Sequence, residues 1–294
     1  MFKIVNKQIL ATHVKRLDVI APNIARKVLP GQFVSISPEE GDERIPLSVV
    51  DFDRDRGHIS LIFQERGVTT KKLGALQLGE EIFSILGPLG KPATIEKVGL
   101  VVCIATGVGT AKILPICRAY KRVGNKVIGI IGARTKRALM LEPQIRLSCN
   151  KIYITTEDGS YERKGLASDI LKQILEEYDP DVVYAIGSEE MMRSTCEMTK
   201  KGGIKTFVHL NPIMVDCLGM CASCRVKVGD KIVLACMEGP EFDGHKVDFD
   251  EFIKRKKALE EFGECCKHKL TSSPKKSESG IFMRFVSGFL KGQQ

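Results

Sequence analysis

The hydrophobic pattern of this chain changes at Val98, and this change constrains the fold more than any other feature of the sequence. Beyond it, "VGLVVCIA", "NKVIGIIGA", "KIYITT" and "DVVYAIG" are strand-like runs with little polar alternation, separated by segments of helical periodicity. Strands of this kind, alternating with helices, are typical of a parallel sheet covered on both faces. The pattern therefore predicts an α/β domain over residues 98–208.

The first 97 residues have a different pattern. In "GQFVSIS" and "HISLIF" polar and apolar residues alternate, and glycine and proline recur at intervals of about ten residues. Short alternating strands with frequent turns are typical of an antiparallel barrel or sandwich. We therefore expect a β barrel over residues 1–97, so that the fold class is a β barrel plus an α/β domain.

The rest of the chain divides into a cysteine-rich segment and a tail. Residues 209–263 hold the stretch "VDCLGMCASC" and end in the helical sequence "VDFDEFIKRKKALEEF". Residues 264–294 are basic, with a linker-like "TSSPKKSES" and a short apolar end, "GIFMRFVSGFLKGQQ". That apolar end either lies on a partner or membrane surface or covers a groove of its own subunit.

Composition and charge exclude several classes of function. The longest apolar runs fall far short of the ~20 residues that cross a bilayer, so no transmembrane segment is predicted. The start, "MFKIVNKQIL", lacks a secretory signal, which predicts a cytoplasmic protein whose ten cysteines are thiols or metal ligands. The net charge of +9 is spread among acidic residues without stacking aromatics. No nucleic-acid partner is therefore expected, and an acidic protein such as a ferredoxin is favoured.

A glycine loop follows the first strand of the predicted α/β domain, in "CIATGVGTAKILPI". A strand, a Gly-x-Gly turn and a helix bring the backbone close to a pyrophosphate and direct a helix N-terminus at it. Gly107, Gly109 and Thr110 are therefore candidate nucleotide-binding residues. Lys112 occupies the position of a third glycine, so the full dinucleotide fingerprint is not matched, and a tight turn without a ligand stays open.

Two carboxylates bear on the choice of nucleotide. Glu157 and Asp158, in "TTEDGS", follow the third strand of the domain, where a carboxylate accepts from a ribose 2′-hydroxyl and repels a 2′-phosphate. They favour NAD(H) over its 2′-phosphorylated form. Arg134 and Lys136, in "GARTK", favour the phosphorylated form, so binding of NADP stays open.

Two motifs in the barrel region carry polar groups suited to a ligand. In "ERIPLSVVDFD", strand periodicity puts the Arg44 cation and the Ser48 hydroxyl on one side. In "LIFQERGVTTKKL", a strand leads through a glycine to a helix start, where backbone N–H groups and the hydroxyls of Thr69 and Thr70 can receive a phosphate. A structural arginine and an ordinary helix cap explain the two motifs equally well when each is taken alone.

The cysteine cluster predicts an iron–sulfur site. A plant-type [2Fe-2S] site uses C-x4-C-x2-C and a distant fourth cysteine. Cys221 and Cys224 match the second half of this pattern, and Cys236 is the distant thiolate. Counting back four intervening residues from Cys221 leads to Asp216 rather than Cys217, and either one completes the set. A zinc site is the alternative, and it is disfavoured because the loop contains only one C-x2-C pair.

The other cysteines and the histidines carry no comparable signal. The upstream cysteines fall in apolar or helical segments and are expected to be buried, unreactive thiols: Cys103, Cys117, Cys149 and Cys196. No two of the five histidines are three or four residues apart. His209 and His245 flank the cysteine cluster, and we expect structural or supporting roles for both.

The order of these motifs resembles that of the ferredoxin-NADP reductase superfamily over residues 1 to about 255. Within it, the likeness is to the small electron-transfer flavoproteins that include the dihydroorotate dehydrogenase electron-transfer subunit, the sulfide dehydrogenase small subunit and the small (alpha) subunit of NADH-dependent reduced ferredoxin:NADP oxidoreductase. The cluster loop and the following "EGPEFDGH" are the most specific elements. In the branch named last, the resemblance implies that the first cluster ligand is the aspartate of "NPIMVDG". This chain has "NPIMVDC", with Cys217 in place of the glycine.

The resemblance implies which residues hold the cofactors. FAD contacts are implied at Arg44, Pro46, Leu47, Ser48, Ile62, Phe63, Gln64, Gly67, Thr69 and Thr70. A nicotinamide nucleotide is implied over Gly107, Gly109 and Thr110, with Glu157 and Asp158 at the ribose. The implied ligands of the [2Fe-2S] cluster are Asp216, Cys221, Cys224 and Cys236. The barrel is then the FAD-binding domain, the α/β region the NAD(P)-binding domain, and residues 209–263 the cluster-binding domain.

The resemblance further implies an electron-transfer subunit of an oxidoreductase. Hydride passes between NAD(H) and FAD, and single electrons pass through the [2Fe-2S] cluster to a larger partner, with no catalytic side-chain acid or base. The implied partner carries flavin and [4Fe-4S] clusters in a hetero-oligomer for bifurcating ferredoxin:NADP oxidoreduction, with ferredoxin as a further candidate partner. Two alternatives stay open: a dihydroorotate dehydrogenase electron-transfer subunit, and a zinc-stabilised nucleotide-binding scaffold without redox activity.

Overall fold

The N-terminal strands form a nearly closed antiparallel barrel. A computed structural model describes the backbone of residues 2–271 and the side chains of residues 2–261. The strands of the first sheet are β1 (Phe2–Ala11), β2 (Val14–Ile20), β3 (Phe33–Ser37), β4 (Ile45–Asp53), β5 (His58–Gln64), β6 (Glu81–Ile82) and β7 (Ser84–Leu89). Their order is β6-β1-β2-β5-β4-β3-β7. Because the edge strands β6 and β7 are consecutive in the chain, with only Phe83 between them, the sheet nearly closes on itself, which confirms the predicted barrel.

Apolar side chains of these strands fill the barrel interior. Leu17 of β2 and Leu61 of β5 are register partners, and both are fully buried. Val34 and Ile36 of β3 belong to the same core. Burial of one such aliphatic side chain contributes about 1.5–3 kcal/mol, so these residues hold the barrel together. Two short helices connect barrel strands: α1 (Pro22–Ala25) and α2 (Val68–Ala75).

The second sheet is parallel except at one edge. The remaining strands are β8 (Leu100–Thr106), β9 (Lys126–Ala133), β10 (Lys151–Thr156), β11 (Arg163–Lys164), β12 (Val182–Ile186), β13 (Lys205–His209), β14 (Arg225–Val228), β15 (Lys231–Leu234) and β16 (Glu241–Asp243). All except β14 and β15 form one sheet, in the order β11-β10-β9-β8-β12-β13-β16. The strand order therefore reverses at β8, because the chain extends the sheet first on one side of it and then on the other.

Helices cover both faces of this sheet, as its apolar runs predict. They are α3 (Gly109–Arg122), α4 (Glu142–Ser148), α5 (Ala167–Glu177) and α6 (Glu189–Lys201). Val101 and Cys103 of β8 belong to the apolar cluster of α3, whereas Val102 and Ile104 belong to that of α5 and α6. A strand buried on both faces has no solvent side, which explains why β8 lacks polar alternation.

The cysteine-rich segment is built on a hairpin. β14 and β15 pair antiparallel, with Arg225 opposite Leu234, and the short helix α7 (Ala235–Glu238) follows directly. The chain then returns to the second sheet, because β16 pairs antiparallel with β13. The hairpin and the α/β sheet are thus connected through one short edge strand.

Helix α8 (Phe249–Thr271) ends the described part of the chain, and it lies where the sequence predicts a helix. One compact unit reaches to Ile253, and a second begins at Lys254. No helix within residues 2–271 is long and apolar enough to cross a membrane. The apolar end of the tail lies outside the described residues, so the alternatives for it stay predictions.

Candidate functional site

Arg44 lies directly before β4, and part of its guanidinium group lacks a partner. Its Nη2 donates a hydrogen bond to Ser84 Oγ over 3.0 Å. Its Nη1 is buried and makes no hydrogen bond to any described residue. A buried donor without an acceptor is costly, and a guanidinium group pairs well with phosphate or carbonyl oxygens. The arginine of the predicted flavin motif therefore lacks an acceptor that an anionic ligand would supply.

The barrel brings the predicted flavin residues of β4 and β5 together. Val49 of β4 pairs with Leu61 of β5, so the adjoining segments 46–48 and 62–64 lie on neighbouring strands. Burial differs along the two segments: Pro46, Leu47, Ser48 and Gln64 are half-buried, and Ile62 and Phe63 are buried. The Phe63 ring is part of the barrel core. A ligand at this position would therefore meet the Phe63 backbone rather than its ring.

The predicted Thr-Thr helix start is the N-terminus of α2. The Thr70 hydroxyl accepts from the N–H groups of Arg66 and Gly67, each at 3.0 Å, and donates to the Gly67 carbonyl oxygen. Thr69 is buried in the same turn. The capping function is therefore present in the structure. Backbone N–H groups of the first helical turn remain the groups that could receive a phosphate.

The glycine loop lies at the switch point of the parallel sheet, between β8 and α3. Gly107 has a φ of +55°, a left-handed backbone that favours glycine. A Cβ on Gly109 would collide with the carbonyl oxygen of Ile186, and Thr110 is buried in the same turn. The loop therefore brings backbone N–H groups and a helix N-terminus to the crevice in which open α/β sheets bind ligands.

The sequence reasoning misses the opposite wall of this crevice, which follows β12. The Ser188 N–H donates to Thr106 Oγ1 over 3.3 Å, and the Ser188 hydroxyl accepts from the Met191 N–H and caps α6. A Cβ on Gly187 would collide with Thr106. The signal in the sequence is "AIGSEE", in which a glycine and a capping serine follow a buried strand.

Glu157 and Asp158 lie at the same edge of the sheet, beyond β10. Their N–H groups donate to the carbonyl oxygens of Ala133 and Arg134 over 3.0 and 3.2 Å, which fixes them beside the end of β9. The Asp158 carboxylate accepts from the Ser160 N–H and hydroxyl over 2.9 and 2.7 Å. These hydrogen bonds, led by that of the backbone N–H, hold the pKa of Asp158 below its usual value. Both side chains are exposed, so two carboxylates line this part of the edge.

The two cations that favour NADP lie in the loop after β9. Arg134 is exposed. The Lys136 N–H donates to Ser160 Oγ over 2.8 Å, and its Nζ lies 4.9 Å from the centroid of the Tyr161 ring. Cations and carboxylates therefore share one surface, and the preference for NAD(H) stays a prediction.

Lys112, in the position of a third glycine, connects α3 to the cysteine-rich segment. Its Nζ donates to Asn211 Oδ1 over 2.9 Å. Nearby, His209 at the end of β13 is 3% exposed, and its Nδ1 makes no hydrogen bond to any described residue. Burial, followed by the Lys112 charge, lowers the pKa of His209 well below its usual value, so the ring is neutral.

The hairpin brings two predicted cluster ligands into contact. Cys224 directly precedes β14, and Cys236 lies in the first turn of α7 after β15. The N–H groups of Ala235 and Cys236 donate to the Cys224 carbonyl oxygen and Sγ, over 3.1 and 3.4 Å. Both cysteines are buried, and burial together with the Cys224 thiol raises the pKa of Cys236 to about 12. The distant cysteine of the motif is therefore distant only in sequence.

The Asp216 carboxylate organises the loop that precedes these cysteines. Its Oδ1 accepts from the Leu218 N–H over 2.9 Å. Its Oδ2 accepts from the N–H groups of Met220 and Cys221, over 2.8 and 2.7 Å. These hydrogen bonds, led by that from Leu218, hold the pKa of Asp216 below its usual value. The carboxylate is therefore ionised and lies within the loop that carries Cys221.

Cys221 and Cys217 differ in exposure. Cys221 is exposed, with its Sγ 3.1 Å from Ser223 Oγ. Burial acts to raise the pKa of Cys221, but hydrogen bonds, led by that of Ser223, outweigh it and lower the pKa. Cys217 is buried, and burial raises the pKa of its thiol. The loop thus offers one exposed thiol and one enclosed thiol.

The donor set of this region is rich in sulfur. Within residues 2–261, no three histidine, cysteine, aspartate or glutamate side chains are arranged to hold a single metal ion. Thiolates with one carboxylate are nevertheless suitable ligands for the iron atoms of a [2Fe-2S] cluster. The residues present therefore fit such a cluster chemically, with Cys224 and Cys236 already adjacent.

The upstream cysteines are buried, as predicted: Cys103, Cys117, Cys149 and Cys196. Three of them adjoin on the α3 side of the sheet, where the Cys103 thiol raises the pKa of Cys117 well above its usual value. The Cys117 thiol and burial do the same for the pKa of Cys149. Thiols with raised pKa values are poor nucleophiles, which agrees with their expected packing role.

Comparison with known proteins identifies the cysteine-rich segment. Residues 211–248 match the iron-sulfur cluster binding domain of dihydroorotate dehydrogenase B. The segment runs from just after β13 to just before α8, and it contains the cysteine hairpin and Asp216. The match confirms the predicted iron–sulfur segment and leaves the identity of each ligand as a prediction.

Similarity to whole proteins extends over most of the chain. An uncharacterised protein from the adh 3′ region of Clostridium beijerinckii is 41% identical over 266 residues, which cover 87% of this chain and 89% of that protein. The dihydroorotate dehydrogenase B (NAD(+)) electron transfer subunit homolog of Thermotoga maritima is 38% identical, and the match covers 86% of this chain and 89% of that protein. A chain from the structure of the NADH-dependent reduced ferredoxin-NADP oxidoreductase, studied for flavin-based electron bifurcation, is 35% identical, with a TM-score of 0.86. The match covers 92% of this chain and 98% of that chain.

These similarities agree with the barrel, the switch-point loop and the cysteine hairpin. They confirm the predicted resemblance to the ferredoxin-NADP reductase superfamily and the prediction of an oxidoreductase electron-transfer function. An electron transfer subunit is by its nature part of a larger assembly, which supports the prediction of a partner subunit. The chain belongs to the family of dihydroorotate dehydrogenase B electron transfer subunits and their homologues.

Proposed function

We propose that this chain is an FAD-containing and [2Fe-2S]-containing subunit that carries electrons between NAD(H) and a larger partner. When bound, the flavin exchanges hydride with the nicotinamide nucleotide and single electrons with the cluster. The observation that carries this proposal is the contact between Cys224 and Cys236, on a hairpin that continues through β16 into the nucleotide sheet. Residues that suit a cluster and residues that suit a dinucleotide therefore belong to one folded unit.

In this proposal, residues 1–97 are the FAD-binding domain. The buried Nη1 of Arg44 pairs with an oxygen of the FAD, which satisfies its missing hydrogen bond. The segments 46–48 and 62–64 contact the flavin, and the first turn of α2 binds the pyrophosphate through its backbone N–H groups. The side chains of this domain orient the flavin and exclude water rather than transfer protons.

Residues 98–208 then bind the nicotinamide nucleotide. The backbone of Gly107 and Gly109 binds the pyrophosphate, with Thr110 in the first turn of α3. Glu157 and Asp158 accept from the ribose hydroxyls, and the ionised Asp158 repels a 2′-phosphate. NAD(H) is therefore the proposed nucleotide. Hydride transfer needs close and oriented reactants rather than an acid or a base, and the crevice provides that orientation.

Residues 209–263 hold the cluster, with Asp216, Cys221, Cys224 and Cys236 as its ligands. Asp216 is favoured over Cys217 as the fourth ligand because four residues separate it from Cys221, as in the plant-type spacing, and because its carboxylate accepts a hydrogen bond from the Cys221 N–H over 2.7 Å. A carboxylate oxygen is a harder ligand than a thiolate, so the electronic properties of the cluster should differ from those of an all-cysteine site.

The partner subunit docks on the cluster loop in this proposal. Apolar side chains exposed around Cys221 are Val215, Leu218, Met220 and Met237, and Met220 is 84% exposed. Exposed apolar groups gathered in one region mark protein interaction sites. We take the partner to be the larger flavoprotein with [4Fe-4S] clusters that the resemblance implies, with ferredoxin as a second electron carrier. Bifurcating ferredoxin:NADP oxidoreduction is the proposed reaction, supported by the similarity to the oxidoreductase chain.

A second candidate is the electron-transfer subunit of a dihydroorotate dehydrogenase. The match of residues 211–248 and the names of several relatives favour it. Asp216, which four residues separate from Cys221, favours the first candidate. The two differ in the substrate of the partner, so the complex purified with its native partner distinguishes them.

The test begins with the protein as purified under anaerobic conditions. FAD, iron and sulfide are measured first, and NADH is then added while the visible absorbance of the flavin is followed. We expect rapid bleaching once at least one equivalent of NADH per flavin has been added, and a slower response to NADPH. A colourless protein that contains zinc would establish the scaffold alternative, and a bound flavin that NADH does not bleach would exclude hydride exchange.

The second step uses the native complex. Reduction of NADP by NADH together with reduced ferredoxin supports the proposed reaction. Reduction of NAD by dihydroorotate, with no activity on ferredoxin, supports the second candidate instead.

A further inference from the structure

The motif "EGPEFDGH", residues 238–245, is among the most specific elements of the sequence, and the proposed function does not use it. It begins at the end of α7, the helix that carries the proposed ligand Cys236, and it contains β16. The Leu210 N–H donates to the Pro240 carbonyl oxygen over 2.9 Å, which extends the pairing of β13 with β16. Backbone groups thus join the motif to the sheet, and this pairing leaves the side chain of Glu241 unexplained.

The Glu241 side chain holds the segment that connects the barrel to the nucleotide sheet. Residues 90–99 run from β7 to β8 without regular secondary structure. The Thr94 N–H donates to both carboxylate oxygens of Glu241, over 3.0 and 3.2 Å. The Lys91 N–H donates to the Gly239 carbonyl oxygen over 2.7 Å. The motif therefore binds this connecting segment at two points, and the contact with a carboxylate is the stronger kind.

The other two domains hold the same connecting segment. The Ala93 N–H donates to the carbonyl oxygen of Pro30, in the loop before β3 of the barrel, over 2.8 Å. The Tyr120 hydroxyl donates to the Thr94 carbonyl oxygen over 2.8 Å, and Tyr120 lies on α3, which begins at the glycine loop. Thr94 is thus held through its N–H by the cluster-binding domain and through its carbonyl group by the nucleotide-binding domain.

This arrangement bears on the rate of hydride transfer. Domains that one segment connects reorient unless contacts prevent it. In the proposed function the barrel holds the flavin and the second domain holds the nicotinamide, and a misplacement of about 1 Å can slow a reaction about 100-fold. An ion pair between Arg118 of α3 and Asp51 of β4, at 2.8 Å, also joins the two domains. Loss of one contact to the connecting segment should therefore loosen their arrangement without separating them.

Resting on the proposed function, we infer that Glu241 is a positioning residue for hydride transfer. Through Thr94, it ties the connection between the flavin barrel and the nucleotide-binding domain to the segment that holds the cluster. Loss of its carboxylate should slow hydride transfer at saturating NADH and leave the affinity for NADH and the iron content unchanged. Loss of the Tyr120 hydroxyl, which binds the carbonyl group of the same residue, should act in the same direction.

The test compares Glu241→Ala, Glu241→Gln and Tyr120→Phe with wild type, in the full chain as purified under anaerobic conditions. Stopped-flow bleaching of the flavin over a range of NADH concentrations gives the limiting rate and the apparent dissociation constant separately. Iron content and the thermal unfolding midpoint are measured for each protein. Asp243→Ala is the matched control, because this second carboxylate of β16 binds the His245 N–H and Lys246 Nζ, each at 3.1 Å, rather than the connecting segment.

We expect Glu241→Ala and Tyr120→Phe to lower the limiting rate about threefold to tenfold, with an apparent dissociation constant for NADH within about twofold of wild type. Glu241→Gln keeps an acceptor oxygen for the Thr94 N–H and should stay closer to wild type, and Asp243→Ala should not slow the reaction. An unchanged limiting rate in Glu241→Ala would overturn the inference. An equal loss in Asp243→Ala, or weaker NADH affinity at an unchanged rate, would also overturn it. If Glu241→Ala does not fold, the limiting rate of Tyr120→Phe decides in the same way.

Failure of the proposed function has a different signature. A wild-type protein without flavin, or with a flavin that NADH does not bleach, refutes the proposed function, whatever the variants do. Hydrogen exchange then still tests the contact itself. The peptide that contains Thr94 should exchange faster in Glu241→Ala than in wild type, while Asp243→Ala matches wild type. Equal exchange in Glu241→Ala and wild type would overturn the contact.

Discussion

The N–H group of Cys236 donates to the Sγ atom of Cys224 over 3.4 Å, at the two open ends of the β14–β15 hairpin. Strand pairing, with Arg225 opposite Leu234, therefore sets the separation of these two sulfur atoms. The other candidate ligands lie on the irregular loop before the hairpin. The hairpin fixes the positions of Cys224 and Cys236, and the loop adjusts to this pair. Hydrogen bonds to ligand sulfur also tune a cluster, which gives the Cys236 N–H a second function.

Replacement of one member of this pair should remove the cluster. We expect Cys236→Ser to lose most of its iron and sulfide, because a hydroxyl is a poor substitute for a thiolate ligand. FAD content should persist, since the proposed flavin residues all lie in the barrel. Iron analysis and visible absorbance of the purified variant measure both. Cys196→Ser is the control, and an iron content in Cys236→Ser equal to that of the control would remove Cys236 from the ligand set.

Asp216 should affect the cluster through more than one contact. Asp216→Ala removes the acceptor of three backbone N–H groups as well as the proposed oxygen ligand, so we expect a changed EPR spectrum of the reduced protein and reduced iron content. Asp216→Asn keeps one acceptor oxygen and should retain more iron than Asp216→Ala. Cys217→Ala should keep the wild-type spectrum. The reverse pattern, with an altered spectrum only in Cys217→Ala, would assign the fourth position to Cys217.

Gly109→Ala should damage the nucleotide site. Its Cβ would collide with the Ile186 carbonyl oxygen, and backbone at the centre of the sheet cannot move aside as a flexible side chain can. We expect a loss of about 1–3 kcal/mol in the free energy of unfolding and slower bleaching of the flavin by NADH. Gly202→Ala is the control, because an added Cβ there meets the Ile204 side chain at 3.3 Å and lies 3.8 Å from the Thr199 carbonyl oxygen, an ordinary contact distance. Equal NADH kinetics in the two variants would contradict the assignment of this loop.

Local patterns predicted much of the fold. The apolar run of β8 and the Gly-x-Gly that follows it are consecutive in the chain, so their periodicity and composition report directly on strand, turn and helix. The cysteine spacing is informative for the same reason, because the thiolates must reach one compact group.

Contacts between distant segments were not predictable in this way. The Ser188–Thr106 hydrogen bond depends on which strands become neighbours in the sheet, and no pattern at either position specifies it. The grouping of Phe33 and Cys217 in one apolar cluster depends on how the cluster loop meets the barrel. The edge strand β16 has only three residues, too few for a periodic signal.

His209 should make stability depend on pH. Its folded-state pKa is well below the ordinary value of about 6.5, because burial and the Lys112 charge disfavour protonation. The unfolded chain therefore binds a proton below that pH while the folded chain does not, so this contribution to stability is present above about pH 6.5 and is lost as the pH falls. The loss approaches about 1.4 kcal/mol per pH unit until the folded-state pKa is reached.

The measurement compares urea unfolding of wild type and His209→Leu across a pH series. Above about pH 7 the difference between their free energies of unfolding should be constant, and below about pH 6.5 the wild type should lose stability relative to the variant. Comparison at each pH cancels acid effects that the two proteins share. His13→Asn is the control, because that side chain is exposed and asparagine tolerates its positive φ. Parallel curves for wild type and His209→Leu would mean that the folded protein protonates this ring as readily as the unfolded chain does, which would contradict the burial of the ring.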